Sequence, residues 1–240
     1  MSSEKAGNWT PKPEITGKLF MGNNLHFEVL PKRQRLLFDA FSGLEWFQNY
    51  YLAGGTALAL QIAHRRSVDF DFFTAGDLDV PLLKKRLSRI GKYHLRAESE
   101  IILDGDVNDV RVSFFSLPET LIGEKIKIGH LKIAAKADIA AMKIAAISMR
   151  GSRKDFIDIY FLLKEFSLEE IIGYFEKKYG KNKENVYCAL KGLLYFEDAE
   201  KMSMPGLIRR VTWGEVKKTI LNVHGEYLKR IRTGGVKNYG

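Results

Sequence analysis

Apolar positions along the chain switch period several times, and each switch predicts an element. RQRLLFDAFSGLEWFQ (33–48) places its apolar residues at helical spacing and predicts an amphipathic helix. NYYLA (49–53) is a short β-prone run that Gly54 and Gly55 interrupt. Thr56 then stands where a cap belongs for a helix through ALALQIAH (57–64). SVDFDFF (67–73) alternates with the period of two that a strand requires. In DLDVPLLKKRLSRI (77–90), Asp79 is placed as an N-cap and Pro81 falls in the first turn of a further helix.

Three β-like runs follow: KYHLRAESEIILD (92–104), long enough for two strands, DVRVSFF (109–115) and KIKIGHLKI (125–133). The polar stretch DGDVND (104–109) predicts a hairpin turn between the first two. From residue 136 the period becomes helical. KADIAAMKIAAISMR (136–150) stops at Gly151, a good residue just past a helix end. RKDFIDIYFLLKEF (153–166) comes next, then SLEEIIGYFEKKYG (167–180), whose Ser167 and Glu170 have capping-box spacing. ENVYCALKGLLYF (184–196) and WGEVKKTILNVHGEYLKRIR (213–232) complete the helical set. The pattern predicts an α+β protein. A polar, partly disordered arm (1–30) precedes an α+β domain with a mixed sheet and flanking helices (31–133), and a helical domain (134–240) follows.

Composition adds little to that picture, but charge does. The chain is 45% hydrophobic and 28% charged, ordinary for a globular protein. No apolar run approaches the roughly 20 residues of a membrane-spanning helix. MSSEKAGNWTPKPE lacks a signal-peptide core, so a cytoplasmic location without membrane partners is expected. Cys188 is the single cysteine and reads as a small buried hydrophobe. The formal charge of +9 favours contact with polyanions such as nucleic acid or nucleotide phosphates.

Aspartate is depleted in strands, and like charges on one strand face repel. Asp69 and Asp71 nevertheless share a face of the 67–73 run, with Val68, Phe70 and Phe72 turned the other way into a core. A divalent metal would offset the repulsion, and magnesium suits one or two carboxylates supplemented by substrate phosphates. Gly54 and Gly55, lacking Cβ atoms, let a phosphate approach the backbone at the start of a helix, where free N–H groups favour an anion. His64, Arg65 and Arg66 close that helix; an arginine there serves either as a phosphate clamp or as ordinary helix C-terminal charge.

LAGGTALALQIAHRRSVDFDFF (52–73) closely resembles the first motif of the AbiEii/AbiGii toxin family, nucleotidyltransferases of the polymerase-β-like superfamily. DIAAMKIAAISMRGSRKDFIDIYFLL (138–163) resembles the family's later lysine and K-D-x-x-D motifs, and FEDAEKMSMP (196–205) and WGEVKKTI (213–220) extend the likeness. The resemblance implies a nucleotidyltransferase-like sheet domain followed by helices. It implies that Gly54, Gly55 and Thr56 cradle a nucleoside triphosphate and that Asp69 and Asp71 bind Mg2+ (or Mn2+). It also implies that Lys143 and Asp158 act in catalysis, with Asp155 and the Arg65–Arg66 pair near the nucleotide. Its other implications are an RNA acceptor (tRNA is one candidate, a protein hydroxyl another) and a cognate antitoxin. From the residues alone, Lys143 reads equally as a lysine snorkelling to the surface and Asp155 as a helix-dipole partner.

One position departs from the superfamily pattern. A third carboxylate is expected on the strand DVRVSFF, and Ser113 stands there. Asp104, Asp106 and Asp109, in the expected turn, are the substitutes within reach. Serine is no general base without an activator, so a weak or inactive nucleotide- or RNA-binding module on the same fold is the alternative reading.

Overall fold

The computed structural model describes residues 25–118 and 121–234. A seven-stranded mixed sheet occupies the first half, in the order β3-β4-β5-β2-β1-β7-β6. Its strands are β1 (Tyr51–Ala53), β2 (Phe70–Thr74), β3 (Tyr93–Glu98), β4 (Ile102–Val107), β5 (Val110–Ser116), β6 (Ile126–Ile128) and β7 (Leu131–Ile133). β1 pairs antiparallel with β2 and parallel with β7, and β2 pairs parallel with β5. The α+β reading of the sequence holds.

One sheet face is lined with aromatic side chains. Phe70, Phe72 and Phe114 point there and are fully buried against Phe41 of α1 (Lys32–Ser42) and Phe47 of the 3₁₀ turn Glu45–Asn49. Ring pairs such as Phe72–Phe114 (5.2 Å) and Phe47–Phe72 (4.9 Å) fill the layer. The other face carries the intervening residues of each strand, among them Asp71 on β2 and Ser113 on β5, which pair directly in the parallel register. Strand alternation therefore separates an apolar layer from a polar one.

β1 runs directly into α2 (Gly54–Ile62), and α3 (Val80–Ile90) follows β2. The second half holds α4 (Lys136–Met149), α5 (Arg153–Leu162), α6 (Leu168–Tyr179), α7 (Lys183–Gly192), the short α8 (Glu197–Glu200) and α9 (Trp213–Gly234). α4 packs on α2, and both are rich in alanine, the best helix former. Ala57 and Ala59 on α2, and Ala140 and Ala141 on α4, are fully buried, so the two backbones approach closely. Lys178 of α6 reaches the buried Asp138 at 3.1 Å, and that carboxylate also accepts the Ile122 and Gly123 amides, fastening the helices to the segment before β6. The segment after α8 returns to the first half: Arg66 N–H donates to Gly206 (2.8 Å), and the Ile208 and Arg209 amides donate to the His64 carbonyl.

Several local expectations are corrected. α2 begins at Gly54 with Ala53 as its cap, so Thr56 lies inside the first turn. Val68 precedes β2 and is exposed. The expected six-residue turn at 104–109 is mostly strand: Asp104 and Asp106 lie in β4, and the reversal is made by Asn108 and Asp109 alone. Both have positive φ (52° and 62°), as a tight hairpin turn of the mirror-image type requires. Cys188 is exposed on α7 rather than buried. Of the expected arm, residues 1–24 lie outside the described residues, while Val29 and Leu30 are buried in the core.

Candidate active site

The junction of β1 and α2 is built around contacts that leave no room for a side chain. Gly54 has φ +68, and a Cβ there would lie 2.9 Å from Asp71 Oδ2. A Cβ on Gly55 would lie 2.2 Å from an Arg65 guanidinium nitrogen. The glycine pair thus brings the helix N-terminus, with its free amides, against one carboxylate and one arginine. Thr56 is buried and its hydroxyl faces inward: it contacts Ser67 Oγ (2.9 Å) and the Asp69 carbonyl. It holds the chain entering β2, so its hydroxyl is already engaged where a phosphate contact was expected.

Asp69 and Asp71 are half-buried at the mouth of a cleft of about 470 Å³, which Gly55 also lines. Burial, and then repulsion from Asp69, pushes the Asp71 carboxyl above its ordinary range. Lys143 of α4 and Asp155 of α5 line the same cleft. A larger depression of about 550 Å³ holds Asp77, Glu98 and Glu100, but all three are exposed and no Lys or Arg lines it; one of about 360 Å³ between Leu36, Ile90 and Asn108 has Asp109 as its single carboxylate.

Behind the cleft lies a buried ion network. Asp158 is fully buried and receives His64 Nε2 at 2.7 Å, Arg65 Nε at 2.6 Å and Lys143 Nζ at 2.7 Å. Burial opposes its charge, but Lys143 and Arg65 hold its carboxyl well below the usual range. Burial likewise opposes the charge of Lys143, yet Asp158 and Asp155 raise its pKa. Asp155 accepts Lys143 Nζ at 2.8 Å and also caps its own helix through the Ser152 hydroxyl (2.5 Å). Burial pushes the His64 imidazole below its ordinary value, the Asp158 contact offsetting only part of this; His64 Nδ1 is buried without a partner, which suits the neutral ring.

The sequence-predicted residues thus divide. Gly55, Arg65, Asp69, Asp71, Lys143 and Asp155 share the cleft, and Gly54 abuts it through Asp71. Asp158, expected at the chemistry, lies outside the cleft wall with both oxygens engaged, so it can orient Arg65 and Lys143 but cannot touch a substrate. Arg65 forks Asp158 where a phosphate clamp was one reading, and Arg66 is exposed with its backbone tied to Gly206. Sequence reasoning missed Arg111, Arg150, Arg153 and Lys154, which also line the cleft. For Arg111 a signal existed: it alternates between valines in DVRVSFF, as the aspartates alternate in SVDFDFF.

Residues 35–133, which contain the glycine pair, both cleft aspartates and the whole sheet, match the family described as nucleotidyl transferase AbiEii toxin, Type IV TA system. An uncharacterized protein of Aquifex aeolicus (strain VF5) is 32% identical over 206 residues, covering 83% of this chain and 98% of its own length. The chain belongs to the AbiEii nucleotidyltransferase toxin family. It is therefore a nucleotidyltransferase. Solved structures of similar shape include JHP933 from Helicobacter pylori (16% identity, TM-score 0.49, 88% of this chain and 100% of that one). MenT4, a nucleotidyltransferase toxin of Mycobacterium tuberculosis H37Rv, is 15% identical with a TM-score of 0.49, covering 80% of this chain and 82% of that one. Among the described residues no helix is long and apolar enough to cross a membrane.

Proposed function

We propose that this chain transfers a nucleoside monophosphate from a nucleoside triphosphate to an acceptor hydroxyl on RNA, tRNA being one candidate. In that reading it is the toxin of a cytoplasmic toxin–antitoxin pair. The observation that carries the reading is the meeting, in one cleft, of two half-buried carboxylates, a helix N-terminus opened by glycines, and a lysine fixed by buried aspartates. Among the described residues no group of three or more His, Cys, Asp or Glu side chains could hold a metal. The Asp69–Asp71 pair nonetheless fits Mg2+ or Mn2+, which need only one or two protein carboxylates when substrate phosphates complete the shell. Repulsion between the two is the defect a divalent cation removes. Such an ion, when bound, supplies Lewis-acid charge at the phosphates.

The chain's own residues do the rest. The Gly54–Gly55 turn accepts the triphosphate on backbone amides. Lys143, raised in pKa and held by Asp155 and Asp158, keeps a fixed positive charge toward the phosphates. The acceptor oxygen forms a bond to the α-phosphorus in line as the α–β bridging bond breaks; pyrophosphate carries away the electron pair, and the acceptor proton passes to water. Positioning and charge neutralisation supply the acceleration. Basic residues of α9, including Lys217, Lys218, Lys229 and Arg230, offer contacts to acceptor phosphates.

Ser113 favours the second reading, a nucleotide- or RNA-binding module with weak or no turnover. Turnover separates the two. Purified protein, magnesium, total bacterial RNA and each α-labelled nucleotide in turn should yield label on RNA, and none with Asp69→Ala/Asp71→Ala. Label on protein alone would reassign the acceptor; nucleotide binding without any transfer would establish the binding module.

A further inference from the structure

The row of residues leading away from Asp71 across the sheet is ordered by hydrogen bonds and ends on a charge the mechanism above does not use. Asp71 pairs with Ser113, and Ser113 pairs with Asp104 on β4. All three lie on the polar face, each strand roughly 4.8 Å from the next. Ser113 Oγ donates to Asp104 Oδ1 at 3.0 Å. Asp104 in turn receives Arg111 in a fork, Nε to Oδ1 at 3.0 Å and Nη2 to Oδ2 at 2.9 Å. Asp104 is nearly buried, at 13% side-chain exposure, whereas Arg111 is 50% exposed.

Arg111 lines the cleft beside Asp69 and Asp71. Of the five other cations there, Arg150 and Lys154 are exposed and lack a positioning carboxylate among the described residues, and three are held by protein partners. Arg65 is gripped by Asp158, and Lys143 is fixed between Asp155 and Asp158. Arg153 donates to the Ala199 and Glu200 carbonyls and lies over Trp213. The fork to Asp104 engages Nε and Nη2 of Arg111 and leaves Nη1 without a partner among the described residues. A planar guanidinium held on one edge and open on the other suits bidentate phosphate recognition.

We propose that Arg111 is a catalytic residue that binds non-bridging phosphate oxygens of the nucleoside triphosphate, with Asp104 and Ser113 as its positioning residues. The inference rests on the transferase reading and deepens it. Ser113 is then the spacer that orients Asp104, rather than the remnant of a lost base. Charge moves onto the departing pyrophosphate as the acceptor oxygen bonds to the α-phosphorus, and Arg111 meets that charge without taking or giving a proton.

The test compares wild type with Arg111→Ala, Arg111→Lys, Asp104→Asn and Ser113→Asp. Three readouts are needed: Mn2+ affinity alone, affinity for the α,β-methylene analogue of each nucleoside triphosphate with Mg2+, and pyrophosphate release with RNA. Arg111→Ala should lose about 100-fold in kcat/KM, the scale seen when one transition-state donor is removed, with Mn2+ affinity unchanged. Arg111→Lys should recover part of that loss. Asp104→Asn should lower kcat more than it raises KM, because the arginine is kept but loosened. Ser113→Asp should lose activity, since a second anion competes for the guanidinium. Wild-type turnover in Arg111→Ala, or a gain in Ser113→Asp, would overturn the proposal while leaving the transferase reading intact. A wild type that neither binds the analogues nor releases pyrophosphate would overturn both.

Discussion

Arg65 grips Asp158 with two parallel hydrogen bonds, Nε to Oδ1 at 2.6 Å and Nη2 to Oδ2 at 2.8 Å, joining the segment between α2 and β2 to the middle of α5. Neither partner is exposed beyond 3% of its side chain. Removing the carboxylate leaves Arg65 a buried charge without a carboxylate partner and Lys143 with Asp155 alone. Asp158→Ala is therefore expected to cost about 3–5 kcal/mol, the usual range for a broken buried pair, measured by urea unfolding. Asp158→Asn, which keeps the shape and some of the hydrogen bonds, should lose less stability but still loosen Lys143, then held by Asp155 alone, and reduce transfer.

The β1–α2 junction gives a second prediction. Gly55→Ala places a methyl group 2.2 Å from the Arg65 guanidinium, which Asp158 prevents from retreating. The expected cost is about 1–3 kcal/mol, as for other overpacked sites. Binding of nucleoside triphosphates should weaken with it, read by calorimetry. Gly173→Ala is the control: a Cβ there meets nothing within 4 Å inside α6, so it should stabilise by about 1 kcal/mol through helix propensity and leave binding unchanged.

Stability should fall in two stages as the solution is acidified. His64 is held below its ordinary pKa, so the unfolded chain takes up that proton first; its contribution is complete above about pH 6.5 and declines below it. Asp155 and Asp158 are also depressed, so their contributions are complete above about pH 4 and are lost below it. All three shifts make stability rise with pH from the acid side. Unfolding free energy measured from pH 3 to 8 should show both stages, and His64→Gln should shrink the first, to which His224, also depressed by burial, still contributes, while leaving the second.

The apolar rhythm made most of this fold legible. Alternation in SVDFDFF announced the strand, the exclusion of its aspartates from the core, and the burial of Phe70 and Phe72. Glycine spacing announced the helix that meets them. Register was not legible, because nothing local reveals that β5 enters beside β2 and sets Ser113 opposite Asp71. For the same reason the local pattern places Asp104 in a turn: Asp and Gly are turn formers locally, but cross-strand pairing with β5 and β3 overrides that preference. Asp158 was legible as part of a motif, whereas its complete burial depends on Arg65, 93 residues away.

The measurement that bears most directly on the central claim is pyrophosphate release from a nucleoside triphosphate, with magnesium and the acceptor RNA, by wild type and by Asp71→Asn. The amide keeps the size of the side chain beside Gly54 but removes the charge that a metal needs. The expected result is magnesium-dependent release by wild type and a drop of about 1,000-fold or more in the variant, comparable to losing a principal electrostatic stabiliser, with an unfolding midpoint no lower than that of wild type, since the repulsion with Asp69 is gone. Release that is indifferent to magnesium, or that survives in Asp71→Asn, would contradict the assignment of the cleft as the site of nucleotidyl transfer.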